Sequence, residues 1–307
     1  ALENTDYTLA GGKLRFLTAG SYTVEMTNTA ITSHADFPAK VVASYEVSLP
    51  EQIFFTWKGL ASGTKSITIR ATSDKPFTVD WGNGTTTTHS GAGGATDVPL
   101  TSPAYGNTES YTVSIMGGSL DCNFTELSCS SNRLTTLDIS KNTALQTLYC
   151  DNNQLTTLDI SKNTALTRLD CYYNRLTALD ISNNTALIRL DCFKNQLSEL
   201  NVSKNTVLTE LFCNLNRLTT LDVSANTKLK YLDCSDNQLT ALDVSANTKL
   251  EHLYCYNNRL SLSDLYAASL KISNADYKWL GTQTWELQNV LTGVAIDLSA
   301  QAEFGGT

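Results

Sequence analysis

Seven cysteines stand at one fixed interval. Cys129, Cys150, Cys171, Cys192, Cys213, Cys234 and Cys255 follow one another every 21 residues, and only Cys122 is out of step. Such a column could bind a soft metal or run thiol–disulfide chemistry. Zinc, however, needs four converging ligands, typically in close Cys-x₂₋₄-Cys pairs, and no such pair occurs. Disulfide scaffolds are small and irregularly spaced. Stacked rungs would bring neighbouring Cα atoms to ~4.8 Å, inside disulfide range, but side chains on parallel in-register strands point the same way. The column therefore reads as small buried hydrophobes. A second column, Asp138, Asp159, Asp180, Asp222 and Asp243, is interrupted by Asn201. Stacked carboxylates could attract calcium, yet the Gly-Gly-x-Gly-x-Asp signature is absent. Asn can accept backbone N–H groups without charge, so this column reads as local turn chemistry. A third pair, Asp170 and Asp191, should sit ~5 Å apart on adjacent rungs, near the spacing of a retaining glycosidase. On an open, solvated face nothing would split their pKa values. Gly-x-Ser-x-Gly, His-Glu-x-x-His and phosphate-loop motifs are absent. The expectation is a non-enzymatic chain with no cofactor and no metal.

The interval itself identifies the elements that carry these residues. Leu145-x-x-Leu148-x-Cys150-x-x-Asn153-x-Leu155 recurs from Leu166, Leu187, Leu208, Leu229 and Leu250, and Leu127-x-Cys129-x-x-Asn132-x-Leu134 carries its tail. The second half of each unit is equally regular, from Leu137-Asp138-Ile139-Ser140-x-Asn142-Thr143 to Leu242-Asp243-Val244-Ser245-x-Asn247-Thr248. A constant interval means one structural unit copied. Twenty-one residues leave ~10 per side of a coil, too few for a strand plus a full helix. A short strand on the concave side and extended or 3₁₀ backbone on the convex side is expected. Asn132, Asn153, Asn174, Asn195, Asn216, Asn237 and Asn258 would form a ladder satisfying backbone groups where the chain leaves the strand.

On these residues, 127–260 resemble bacterial 21-residue leucine-rich repeats of the IRREKO type, relatives of internalin-like surface proteins. The resemblance implies a binding scaffold rather than an enzyme.

The flanks differ. Phe54–Trp57, Ser66–Arg70, Phe77–Trp81 and Tyr111–Ile115 are β-branched and aromatic runs separated by Gly, Asn and Ser, as strands of a sandwich require. Asp80-Trp81-Gly82-Asn83-Gly84-Thr85 followed by Tyr111-Thr112-Val113-Ser114-Ile115-x-Gly117 resembles a PKD-like β-sandwich, with Asn83 where that family usually has Asp. Residues 263–270 read as a short capped helix lidding the last coil. The expected organisation is mainly β. It comprises a partial immunoglobulin-like segment (1–50), a PKD-like sandwich (51–118), a leucine-rich-repeat solenoid of seven coils (119–262), then the cap helix and the start of a further β module (263–307). Residues 290–307 resemble the opening of an immunoglobulin-like module and 1–50 its remainder. Head-to-tail self-association through these ends, or local docking of 1–50 on the sandwich, follows as an expectation. The chain starts at Ala1 rather than Met, as a processed or trimmed product would.

Composition narrows the partners. The 307 residues are 41% hydrophobic and 17% charged, with net charge −8. That composition supports a buried core and argues against nucleic acid or an anionic membrane surface. No apolar run reaches the ~18 residues of a membrane span. The concave face is the informative surface. Its outward columns are Thr147, Arg168, Arg189, Glu210, Tyr231, His252, then Tyr149, Asp170, Asp191, Phe212, Asp233, Tyr254, then Asp151, Tyr172, Phe193, Asn214, Ser235, Tyr256. Tyr, Phe and Arg are the residues of binding hot spots. The expected ligand-contacting set is Tyr149, Arg168, Asp170, Tyr172, Arg189, Asp191, Phe193, Phe212, Tyr231, Asp233, Tyr254 and Tyr256. The expected partner is a protein or glycoprotein met at a bacterial cell surface or in the extracellular medium. Carbohydrate binding and a structural, polymerising role are the alternatives.

Overall fold

The computed structural model describes the backbone of four strands before residue 48, residues 50–270 apart from 73 and 95, and residues 278, 279 and 283. The four early strands pair locally as two antiparallel hairpins, β1 (Tyr7–Ala10) with β2 (Lys13–Phe16) and β3 (Gly20–Thr27) with β4 (Lys40–Val47). The immunoglobulin-like module expected from the chain ends, its strand at 292–298 and the contact between those ends lie outside the described residues.

Six strands follow: β5 (Gln52–Lys58), β6 (Ser66–Ala71), β7 (Pro76–Asp80), β8 (Thr86–Ser90), β9 (Val98–Thr101) and β10 (Ser110–Gly117). The Thr-rich β8 and the short, Pro-containing β9 carry no apolar alternation and are not legible in the sequence. Ile53, Phe55 and Trp57 alternate inward on β5, as do Phe77 and Val79 on β7. Trp57 stacks on Trp81 at 6.0 Å, and its indole N–H donates to the Tyr105 hydroxyl at 3.0 Å. Tyr105 in turn donates to the Trp81 carbonyl, so the buried polar tips of these rings are all partnered. The 80–85 motif is the tight β7–β8 connection. Asp80 accepts from the Gly82 N–H at 2.8 Å and Asn83 from the Thr85 N–H at 3.1 Å. Gly82 has φ +76°, and a Cβ there would lie 2.3 Å from the Thr112 carbonyl oxygen, so only glycine fits.

The coils begin with β11 (Phe124–Ser128) and β12 (Leu134–Asp138). They continue through β13 (Thr147–Tyr149), β14 (Arg168–Asp170), β15 (Arg189–Asp191), β16 (Glu210–Phe212), β17 (Tyr231–Asp233) and β18 (His252–Tyr254). From β11 and β13 onward these strands are parallel and in register, 21 residues per step. Seven rungs thus bound six turns of a mainly β solenoid. The central Leu of each strand and the Cys two residues on are buried, and none of the eight cysteines is in a disulfide. Burial pushes the Cys171 and Cys213 thiols well above their ordinary range, as expected of packing groups rather than nucleophiles.

Two Asn ladders close the corners. After each strand, one residue adopts left-handed backbone: Asn152, Tyr173, Lys194, Leu215, Asp236 and Asn257, with φ of 51–53°. The next residue is the ladder Asn. Asn174 donates to the carbonyls of Cys150 and Cys171 and accepts from the Leu155 N–H at 3.0 Å, joining two turns through one side chain. On the far side the chain makes two successive β-turns, for example Ile160–Asn163 and Asn163–Leu166, rather than 3₁₀ helix. The shared residue forms a second ladder, Asn142, Asn163, Asn184, Asn205, Asn226 and Asn247, almost completely buried. Asn184, for instance, donates to the Ile160 and Asn163 carbonyls of the preceding turn. The Asp column lies outside this wall as expected of turn residues: Asp138, Asp159, Asp180, Asp222 and Asp243 each accept from the Ser N–H two residues on, and Asn201 does the same for Ser203.

Both ends of the first ladder are finished by other side chains. At the near end, β6 pairs antiparallel with β11, so one ten-stranded sheet runs from the flanking strands into the solenoid across residue 118, while β5 pairs antiparallel with β12 in a second, five-stranded sheet. There Asn132 donates to the Ser66 carbonyl, and the buried Lys65 ammonium donates to the Asn132 carbonyl while lying over the Trp57 ring. Burial and Arg133 lower the Lys65 pKa to about 8. At the far end, the Gln283 side chain takes the role of the missing Asn. It accepts from the Leu260 N–H and donates to the Cys255 carbonyl, both at 3.1 Å. The helix α1 (Leu262–Ser269) starts one residue earlier than expected, with Ser261 and Asp264 forming a capping box, and turns Leu265 and Ala268 onto the last coil.

Because Asn174 satisfies groups on two turns, Asn174→Ala should destabilise the fold by about 2–4 kcal/mol by leaving buried backbone groups unpaired. Asn201→Asp, which keeps its exposed turn acceptor, should stay within about 0.5 kcal/mol of the parent. Urea unfolding of both variants checks the contrast.

Candidate functional site

The outer face of the solenoid sheet carries the expected columns. Strand registers align Thr147, Arg168, Arg189, Glu210, Tyr231 and His252 in one row and Tyr149, Asp170, Asp191, Phe212, Asp233 and Tyr254 in the next. These residues do not form one uniform surface. The half nearest the flanking sheets is ionic and the far half is aromatic.

In the ionic half, Arg168 pairs with Asp170 at 2.7 Å. Arg189 reaches Asp170 at 3.5 Å, Asp191 at 3.3 Å, and also Glu210. Each guanidinium also lies over a ring: Arg168 over Tyr149 at 4.9 Å and Arg189 over Phe212 at 4.4 Å. The row continues toward the flank as Arg70 bridging Asp97 at 2.7 Å and Glu126 at 2.9 Å. The carboxylates beneath are not solvated as the sequence suggested. Asp170 is 4% exposed, while Asp151 and Asp191 are each 6% exposed. The reason is that long Arg and Tyr side chains on neighbouring rungs fold over the short Asp. Burial, reinforced by the Asp170 charge, pushes the Asp191 pKa up to about 6. Asp151 accepts from the Ser130 hydroxyl, the Asn152 side-chain amide and the Tyr172 hydroxyl.

Two aromatic groups flank this floor. Tyr172 stacks on Phe193 at 4.9 Å, Tyr173 meets Phe193 edge-on at 4.9 Å, and the Lys194 ammonium lies 4.1 Å over Tyr173. Further along, Tyr231 packs against Phe212 at 4.6 Å, His252 at 5.0 Å and Tyr254 at 5.5 Å. Asp233 lies between Phe212 and Tyr254 in register and accepts from the Ser235 N–H and hydroxyl. Tyr256 stands half-buried in the third column. Tyr173 is the residue that sequence reasoning missed. It is 40% exposed, and Leu215 two rungs on, in the same position, is 42% exposed. Both occupy left-handed backbone, at ~1–2 kcal/mol for an ordinary side chain, a position held by Asn152, Asp236 and Asn257 in three other rungs and by Ser131 and Lys194 in the remaining two. The signal was present as large apolar residues in a column otherwise filled by Ser, Asn, Lys and Asp.

Among the described residues, no three His, Cys, Asp or Glu side chains converge as a metal site, and no helix is long and apolar enough to cross a membrane.

Residues 227–267 match the family of leucine-rich repeats in its two-copy form. That match covers the last coils of the solenoid. No curated protein matches the chain. Solved leucine-rich-repeat structures do. An internalin, InlF, from Listeria monocytogenes is 23% identical over 48% of this chain and 45% of its own, with a TM-score of 0.43. The functional domain of InlJ from the same organism, described as including a cysteine ladder, is 30% identical over 52% of this chain and 49% of its own, with a TM-score of 0.31. A leucine-rich-repeat protein of Leptospira interrogans, LIC12759, is 26% identical over 43% of this chain and 42% of its own, with a TM-score of 0.36. The chain thus spans just under half the length of each of these three.

A carboxyl whose folded pKa is raised holds its proton longer in the native state than unfolded, so its contribution to stability is lost as pH rises from about 4 to about 6. Asp191→Asn should therefore raise Tm at pH 7 by about 2–4 °C and leave it unchanged at pH 4. Thermal melts across that range check this.

Proposed function

We propose that this leucine-rich-repeat chain is a non-catalytic recognition module that binds a protein or glycoprotein through the outer face of its solenoid sheet. On this reading it works at a bacterial surface or in the extracellular medium as an adhesion protein of the internalin-like kind. The strands of 51–118 then form a PKD-like sandwich that caps and presents the repeats. One observation carries the reading: Tyr173, which meets Phe193 edge-on, and Leu215 are exposed at strained left-handed positions, where local backbone preference favours Asn or Asp. Large apolar side chains maintained there against local preference suit a contact surface. The coil backbone is fixed by its ladders before any partner arrives, so little ordering cost attends binding.

Protein is favoured over free carbohydrate by the way the rings stand. Tyr172 and Phe193 lie within 17° of parallel at a centroid distance of 4.9 Å, close to the rung spacing, so their planes face along the solenoid and their edges face outward. Tyr149 and Phe212 have a face covered by Arg168 and Arg189. Sugar stacking needs an open ring face turned to solvent.

The test is capture from a host-cell surface extract, with the parent beside a Tyr173→Ala, Phe193→Ala, Leu215→Ala variant of equal Tm. A protein retained by the parent and lost by the variant is the expected result. Identical profiles overturn the reading, and release by free sugars moves it to carbohydrate binding.

A further inference from the structure

The sheet face solvates two cations of its own, and it does so in one way. Arg168 lies between the Tyr149 ring and the Asp170 carboxylate, and Arg189 between the Phe212 ring and Asp170 with Asp191. Two more carboxylates sit among rings on the same face. Asp151 is held by the Tyr172 hydroxyl beside the Tyr172–Phe193 stack. Asp233 stands between Phe212 and Tyr254 and next to Tyr231. Among the described residues neither has an Arg or Lys within ion-pair distance; their partners are hydroxyls and amides. Burial raises the pKa of Asp233 as it does that of Asp191. Counting β13 to β18 and the two residues after each, Asp151, Asp170, Asp191, Glu210 and Asp233 outnumber Arg168 and Arg189, so the floor is left net negative. A negative floor walled by aromatic rings complements cationic side chains and repels acidic ones.

We propose that the partner of this face is a basic protein surface that places one Arg or Lys side chain at Asp151 and a second at Asp233, repeating what Arg168 and Arg189 do within the chain. Four rungs across the sheet and two residues along the strand separate the two positions, ~20 Å at ordinary sheet spacing. An extended segment with cations about six residues apart spans that distance. The guanidinium suits both positions better than the ammonium, because its plane can lie on a ring while its edge donates to the carboxylate. The proposal rests on the reading of this face as a recognition surface.

The probe is a fluorescein-labelled Gly/Ser peptide with two Arg about six residues apart, beside the same peptide with both Arg replaced by citrulline, which keeps the shape and loses the charge. Fluorescence polarisation at low salt should give at least about tenfold tighter binding of the Arg peptide to the parent. That preference should vanish in Asp151→Asn, Asp233→Asn, whose amides keep the size of each side chain, with Tm confirming that the variant is folded. Equal binding of the two peptides to the parent, no binding of either, or a preference that survives in the double variant overturns the proposal. The Tyr173, Phe193 and Leu215 variant leaves both carboxylates in place. If it loses its captured partner while the peptide preference is absent, the recognition reading stands and this inference alone fails.

Discussion

A turn of only 21 residues has dry corners, and everything else in this molecule follows from that. The chain reverses direction within a layer too thin to hold water, so backbone N–H and C=O groups at the corners must find partners inside protein. Two side-chain amides per turn supply them, each reaching the turn before it. No coil is complete without a neighbour. The ladders therefore need ends as much as they need rungs. Lys65 and Ser66 finish one end, and Gln283 the other. The strands of 51–118 are in this sense part of the solenoid's stability. Their sheet continues into it, and their Trp57 receives the Lys65 ammonium.

Interior and exterior are then governed by different rules. Inside, Leu, Ile, Val and Cys repeat because every turn offers the same space to fill. Outside, nothing structural fixes the residue, and there the turns diverge: Arg and Asp in some, Phe, Tyr and His in others. The outward residues still interact strongly. Arg189 alone ties together carboxylates on three successive rungs. A surface built this way is preformed and rigid, with charge and ring faces already committed. A partner meets edges of rings and the carboxylates left over.

The repeat, its strand, the burial of the cysteines and the turn role of the Asp column were legible because each depends on spacing alone. The first Asn ladder was legible for the same reason. The second ladder was visible as a repeated Asn, yet its role is set by how two β-turns share that residue, which spacing does not reveal. The burial of Asp170 and Asp191 was misjudged because it depends on which way Arg168 and Arg189 fold, a matter of rotamers and neighbouring charges rather than of pattern. Tyr173 escaped notice because its column reads as turn, and only the backbone angle shows that a turn residue was expected there.

The sequence by itself determined the unit, its length and its apolar interior, since a copied motif makes a local pattern into a global one: each turn sees the same neighbours, so periodicity is already tertiary information. Where the repeat stops, that equivalence ends. How the flanking strands join the first coil, which side chains close the ladders, and which outward acids are covered or left without a cation were decided only by the tertiary structure. Each depends on residues far apart in the chain whose meeting no interval records.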